Sequence, residues 1–137
     1  MTVDTLRESF INRPFHLKIS QKIKKHFLKR PRLLNYRNYV NYSIKYFDKA
    51  SEEIPCILPN YDHSPRSGNR GMVLIKNNPK IFGFFIKKIL EIIKNKNSNK
   101  IMFIKSWNEW GEGNYLEPDI KFGKKYLDVL KRELKNK

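Results

Sequence analysis

The chain has 137 residues, of which 39% are hydrophobic and 13% aromatic, and this composition excludes an intrinsically disordered protein. Its length suits one domain with a hydrophobic core and excludes a complete eight-unit (β/α) barrel, which needs about 250 residues. The net charge is +16, but 21 of the 29 basic residues are lysine. Surfaces that read bases more often concentrate arginine, so nucleic acid is an unfavoured partner.

Residues 1–50 are predicted to be a basic region that is mainly helical or irregular. Residues 18–37 contain eight Lys or Arg and no acidic residue, and Phe15, Ile19 and Ile23 have helical spacing. Two interpretations stay open: a solvated basic surface, or attachment to an anionic membrane or a lipid-linked acceptor. No leader peptide or spanning segment is predicted, so we expect a cytoplasmic protein, with a peripheral membrane position as the alternative.

The rest of the chain alternates predicted strands and helices. Tyrosines at helical spacing predict a helix over residues 35–50, and apolar runs at 54–58 and 101–104 predict two buried parallel strands. Asn78 and Pro79 indicate the start of a core-facing helix, with Asn78 as its N-cap. A last helix is predicted from about residue 122 to residue 134. Residues 51–137 are therefore interpreted as a βαβα unit.

The loop after the second predicted strand carries the strongest chemical signal. Functional groups of parallel sheets gather just past the carboxyl ends of the strands, and this loop contains Trp107, Asn108, Glu109, Trp110 and Glu112. Indole faces stack on sugar rings, and glycosyl chemistry uses one carboxyl group as acid and another as base or nucleophile. The alternative is that both glutamates face solvent while the indoles cap the core.

The loop after the first predicted strand contributes further polar groups. If the two strands are neighbours, Asp62 and Arg66 lie beside the same pocket as a hydrogen-bond acceptor and a bidentate donor. The alternative is a salt bridge between these two residues. His63 has no second ligand at metal spacing, so neither a metal nor a cofactor is predicted.

Residues 61–71, 108–113 and 115–119 together resemble the WbsX-like glycosyltransferases, which are related to glycoside hydrolase family 99. The resemblance runs from about Tyr36 to Leu134 and is densest at residues 106–119. It implies a (β/α)8 TIM-type barrel that acts on glycans, often in the biosynthesis of bacterial surface polysaccharides such as lipopolysaccharide O-antigen. Transfer and hydrolysis are both compatible with the motif.

The resemblance also implies roles for individual residues. Glu109 would be the base at the sugar 2-hydroxyl, and Glu112 the acid and later the base at the glycosidic oxygen. Tyr61 and Glu117 would join the loop residues named above in binding the substrate. The chain departs from the family pattern at two positions: Tyr61 stands where the family usually has Trp, and His63 stands where it usually has Asn.

The length limits what the resemblance implies to the C-terminal fragment of the barrel, with about its last two βα units. The fragment is either a truncated or split form, or it assembles with another chain that completes the barrel. We expect the isolated chain to be catalytically inactive. A non-catalytic glycan- or partner-binding module is the main alternative to an enzyme, ahead of a basic nucleic-acid-binding protein.

Overall fold

The computed structural model describes residues 30–50, 53–96 and 100–135, which form a mixed α/β structure. The predicted basic helix around residues 15–28 lies outside the described residues. Two short 3-10 helices, Gly68–Arg70 and Trp110–Glu112, accompany the main elements. In chain order the main helices and strands are β1 (Arg32–Asn35), α1 (Tyr36–Lys49), β2 (Cys56–Ile57), α2 (Ser64–Ser67), β3 (Met72–Ile75), α3 (Pro79–Asn95), β4 (Phe103–Ile104), β5 (Asn108–Glu109), β6 (Asn114–Tyr115) and α4 (Lys125–Lys135).

The three long helices, α1, α3 and α4, confirm the helices that were predicted from the periodicity of the sequence. The Asn35 side chain accepts a hydrogen bond from the Arg37 amide at 3.0 Å and caps α1. The Asn78 side chain accepts one from the Ile81 amide, also at 3.0 Å, and Pro79 occupies the first turn of α3, as predicted. Helix α4 begins at Lys125, three residues later than expected.

The two predicted strands are neighbours. β2 and β4 pair in parallel, with Cys56 opposite Phe103 and Ile57 opposite Ile104. Each strand is shorter than its apolar run. Burial of β4 on both faces was a wrong expectation, because Phe103 is 57% exposed and no layer of the described residues covers it.

A second parallel pair was not predicted from the sequence. β1 pairs with β3 over four residues, from Arg32 opposite Met72 to Asn35 opposite Ile75. A third pair, β5 with β6, is antiparallel. The described residues thus form three two-stranded sheets, and these do not close into a barrel.

The core lies between α1, α3 and α4 and the parallel strands. Tyr39 of α1 meets Phe85 of α3 edge to face, with ring centroids 5.9 Å apart. The Tyr36 hydroxyl donates to the Leu58 carbonyl at 2.6 Å and so fixes the chain just after β2. This packing fixes the carboxyl end of β2, which is paired with β4, and the polar loops begin at the ends of these two strands. None of the helices in the described part of the chain is long and apolar enough to span a membrane.

Candidate active site

The loops that follow β2 and β4 are in direct contact. The Asp62 amide donates to the Glu112 carbonyl at 2.7 Å, and the buried Asn60 side chain accepts from the Tyr115 amide at 2.8 Å. Gly113 has φ +50°, and a Cβ atom there would lie 2.8 Å from the Asp62 Cβ. Glycine is therefore needed at this position for both its conformation and the close approach of the two loops.

The β5–β6 hairpin fixes the backbone that carries the glutamates. Glu109 lies opposite Asn114 in this hairpin. The Ser106 hydroxyl donates to the Asn114 carbonyl at 2.7 Å and accepts from the Glu109 amide at 3.1 Å. One serine thus connects the start of the loop to both strands of the hairpin, which limits the positions available to Glu109.

Both predicted catalytic glutamates contact the same guanidinium group. Arg66 Nη2 lies 2.8 Å from Glu109 Oε1, and Arg66 Nη1 lies 3.6 Å from Glu112 Oε1. A Cβ atom on Gly111 would lie 3.1 Å from two nitrogens of this guanidinium, so the glycine leaves room for Arg66. The alternative pairing of Arg66 with Asp62 does not occur among the described residues.

Two further basic side chains contact Glu112, and neither was a candidate from the sequence. Lys105 Nζ lies 2.9 Å from Glu112 Oε2, and His63 Nε2 lies 3.9 Å from Glu112 Oε1. The hydrogen bond and the charge of Lys105, followed by the charges of His63 and Arg66, lower the pKa of Glu112 despite its burial. The position of Lys105 directly after β4 was the available signal, since the carboxyl end of a strand is where site residues gather.

The surroundings of Glu112 bear on its chemical role. A general acid must carry a proton, whereas the neighbours of Glu112 favour the ionised carboxylate. In this arrangement Glu112 is suited to act as a base or to stabilise positive charge. The acid role implied by the resemblance requires that substrate binding separate Glu112 from Lys105.

The two tryptophans lie at the outer side of the loop. Trp107 is 53% exposed and Trp110 is 49% exposed. One face of Trp110 stacks on Tyr115, with ring centroids 3.8 Å apart, and its Nε1 donates to Glu117 Oε2 at 2.7 Å. Glu117 therefore orients the Trp110 indole through this hydrogen bond. Asn108, also predicted to bind substrate, is exposed on β5.

The loop after β2 contributes side chains that are less accessible to solvent. Tyr61 is 8% exposed and stacks on His63, with an interplanar angle of 7°. Burial, together with the charge of Glu112, raises the pKa of Tyr61, which remains a neutral phenol. Asp62 Oδ1 accepts from the amide and the hydroxyl of Ser64, at 2.8 and 2.5 Å, so one of its oxygens supports the start of α2.

Other regions of the molecule offer less chemistry. A cleft of about 520 Å³ is lined by side chains from α3 and α4 together with Lys100, and it contains neither glutamate. No cluster of three His, Cys, Asp or Glu side chains suited to a metal ion occurs in residues 30–50, 53–96 and 100–135. The side chains around Glu112 are therefore the candidate site.

Comparison with known proteins defines the class. A family model described as Glycosyltransferase WbsX matches residues 3–130. The chain therefore belongs to the WbsX glycosyltransferase family.

The chain is also similar to curated proteins of greater length. Two of these are described as uncharacterized protein WxcX, from strains B100 and ATCC 33913 of Xanthomonas campestris pv. campestris. Each is 28% identical over 82 residues, which cover 58% of this chain and 12% of the relative. No solved structure matches the chain significantly.

Proposed function

We propose that residues 51–137 are the C-terminal part of a (β/α)8 barrel in which Glu109 and Glu112 act on a glycan or sugar-linked substrate. Family membership supports the substrate class, because WbsX proteins are described as glycosyltransferases. The parallel pairing of β2 with β4 supports the barrel, since a TIM-type site is built from loops at the carboxyl ends of such strands.

One observation carries the proposal: the carboxylates of Glu109 and Glu112 contact the two arms of the Arg66 guanidinium. Glycosyl chemistry uses two carboxyl groups on either side of a reacting bond. Arg66 holds these groups together in the free protein. Its own side chain is more than half exposed, so a substrate can displace it and take its place between the carboxylates.

In the proposed reaction Glu109 acts as a base at the sugar 2-hydroxyl, and Glu112 acts at the glycosidic oxygen. Substrate entry draws Lys105 away from Glu112, so that this carboxylate takes a proton from solvent and gives it to the glycosidic oxygen as the glycosidic bond breaks. Tyr61, Asn108 and Trp107 would bind the sugar beside the pair, as predicted from the sequence. The product would belong to a bacterial surface polysaccharide, and the other barrel units would come from a longer polypeptide or from another chain.

The test is a Glu112→Gln substitution in a complete barrel, in which this chain is joined to the polypeptide that supplies the other barrel units. The amide keeps the shape of the carboxylate but cannot exchange the proton, so turnover should fall by about 100-fold or more while glycan binding is retained. Glu91→Gln on the exposed face of α3 is the matched control and should leave turnover unchanged. Turnover by the Glu112→Gln protein equal to that of the unsubstituted protein would remove Glu112 from the mechanism.

A second candidate is a glycan-binding module without catalysis. The exposed indoles of Trp107 and Trp110 favour it, because aromatic faces bind sugar rings without any acid or base. Such a module would bind glycans with either glutamate replaced, and it would show no turnover in any completed form. Turnover by the unsubstituted, completed barrel therefore separates the two functions.

A further inference from the structure

The loop formed by residues 119–125 carries an aliphatic side chain at its tip that is completely exposed. Ile120 has a relative exposure of 108%, and the turn below it is closed. Asp119 and Gly123 form an antiparallel bridge in which the Gly123 amide donates to the Asp119 carbonyl at 2.8 Å. The Asp119 carboxylate accepts a further hydrogen bond from the Phe122 amide. The loop is therefore a defined turn, and Ile120 is its second residue.

The base of this turn is anchored in the core. Phe122 meets Tyr126 edge to face, with ring centroids 5.6 Å apart, and Tyr126 is buried against Phe82. Two residues earlier, Ile120 contributes nothing to this core. A single exposed aliphatic residue is common on protein surfaces and does not by itself indicate a binding site. The charges around it provide the second observation.

Three exposed lysines follow the tip within five residues. Lys121, Lys124 and Lys125 all face solvent, and Asp119 is the single acidic residue in the loop. Three lysines against one aspartate leave the loop with a net positive charge. An aliphatic tip followed closely by lysines matches the interfacial layer of an anionic bilayer, where the apolar group enters the acyl boundary and the amines meet lipid phosphates.

We propose that the 119–125 loop binds an anionic membrane surface, with Ile120 inserted and Lys121, Lys124 and Lys125 in contact with lipid phosphates. A protein partner would need a wider apolar contact than this one protruding side chain provides. The loop lies next to the candidate site, because Tyr115 stacks on Trp110 and its side chain forms a hydrogen bond with Asp119. If the proposed function holds, the glutamate pair then faces saccharides linked to membrane lipids.

The electrostatic part is tested by co-sedimentation with vesicles of phosphatidylcholine mixed with phosphatidylglycerol in equal parts. The triple variant K121Q/K124Q/K125Q should bind these vesicles about 100-fold more weakly than the unsubstituted chain. The control K45Q/K49Q/K87Q removes the same charge from exposed positions on α1 and α3. Its affinity for the vesicles should stay close to that of the unsubstituted chain. Equal weakening by both triple variants, or no vesicle binding at all, would overturn the proposal.

Insertion is tested separately at the tip. Ile120→Ser should weaken vesicle binding about tenfold, whereas Phe84→Ser, at an exposed aromatic on α3, should not. An environment-sensitive dye on I120C in a C56S background should shift to the blue on binding vesicles. A dye that reports water in the bound state, or equal effects of the two serine substitutions, would overturn insertion. These outcomes leave glycan binding at Glu109 and Glu112 untouched, so failure here is distinct from failure of the proposed function.

Discussion

Glu112 is surrounded by three basic side chains that come from different parts of the sequence. Lys105 precedes it by seven residues, while His63 and Arg66 belong to the other loop. The sequence singled out the glutamates because carboxylates and indoles are concentrated in one short segment. It did not single out Lys105, because one lysine among 21 does not stand out by residue type, and its position directly after β4 was the only sequence feature that marked it.

Lys105→Met should raise the pKa of Glu112, since the Lys105 hydrogen bond is the largest cause of its lowered value. A lowered folded pKa contributes stability above the unfolded pKa, and this stability is lost as the pH falls through the folded value. The free energy of unfolding of the variant should therefore fall less on acidification across that window. Carbon-13 NMR titration of the glutamate carboxyl groups, with urea unfolding at each pH, measures both effects.

The control for this titration is Lys45→Met, which removes an exposed charge on α1. It should leave the titration of Glu112 as it is in the unsubstituted chain. Identical titration of Glu112 in the Lys105→Met protein would mean that the contact between the two side chains does not hold the carboxylate in its ionised form.

Among the secondary-structure elements, helix α3 was predicted almost completely, including its N-cap and its buried face. Gly83 was the exception, because within a helix it costs about 1 kcal/mol relative to alanine. The tertiary structure explains it. A Cβ atom at this position would lie 2.6 Å from Val129 Cγ1 of α4, so glycine allows the two helices to approach.

Gly83→Ala should lower the free energy of unfolding by about 1–3 kcal/mol, because overpacking against Val129 outweighs the gain in helix propensity. Urea denaturation followed by circular dichroism measures the change. The double variant Gly83→Ala with Val129→Ala removes the clashing methyl groups and should recover part of the loss. A single variant more stable than the unsubstituted chain would show that α3 and α4 are not packed as described.

The β1–β3 pair was missed because its first strand lacks a clear pattern. Arg32 and Leu33 of β1 are exposed, and Leu34 alone of its four residues is buried, so neither alternation nor a continuous apolar run marks the strand. β1 also lies in the basic stretch that was interpreted as helical or irregular. Its register depends on a partner 40 residues away, which local propensity does not encode.

For the whole molecule, exposed apolar strand surface is the clearest departure from a self-contained domain. Ile101 and Phe103 on and beside β4 are both about half exposed, and an apolar strand of this kind is normally covered. The chain spans 12% of the length of the curated relatives it matches. Both facts accord with the proposal that further barrel units, from the same polypeptide or another, pack against β4.

The composition of residues 106–119 predicted where the candidate site lies, and the contact of its loop with the first loop follows from the pairing of β2 with β4. Composition could not predict how the charges pair. Arg66 joins Glu109 and Glu112 instead of Asp62, because Gly111 leaves room for its guanidinium. Such pairing is set by tertiary contacts between loops and has no local sequence pattern.

Binding of sugars by the chain itself tests the central claim most directly. Proton–nitrogen NMR spectra with a panel of hexoses, deoxyhexoses and their methyl glycosides resolve the indole signals of Trp107 and Trp110. At least one sugar should shift both indole signals together with the amide of Glu109, and Glu109→Gln should weaken that response. Shifts confined to the cleft beside Leu90 and Glu133, or none with any sugar, would contradict a carbohydrate site at the glutamate pair.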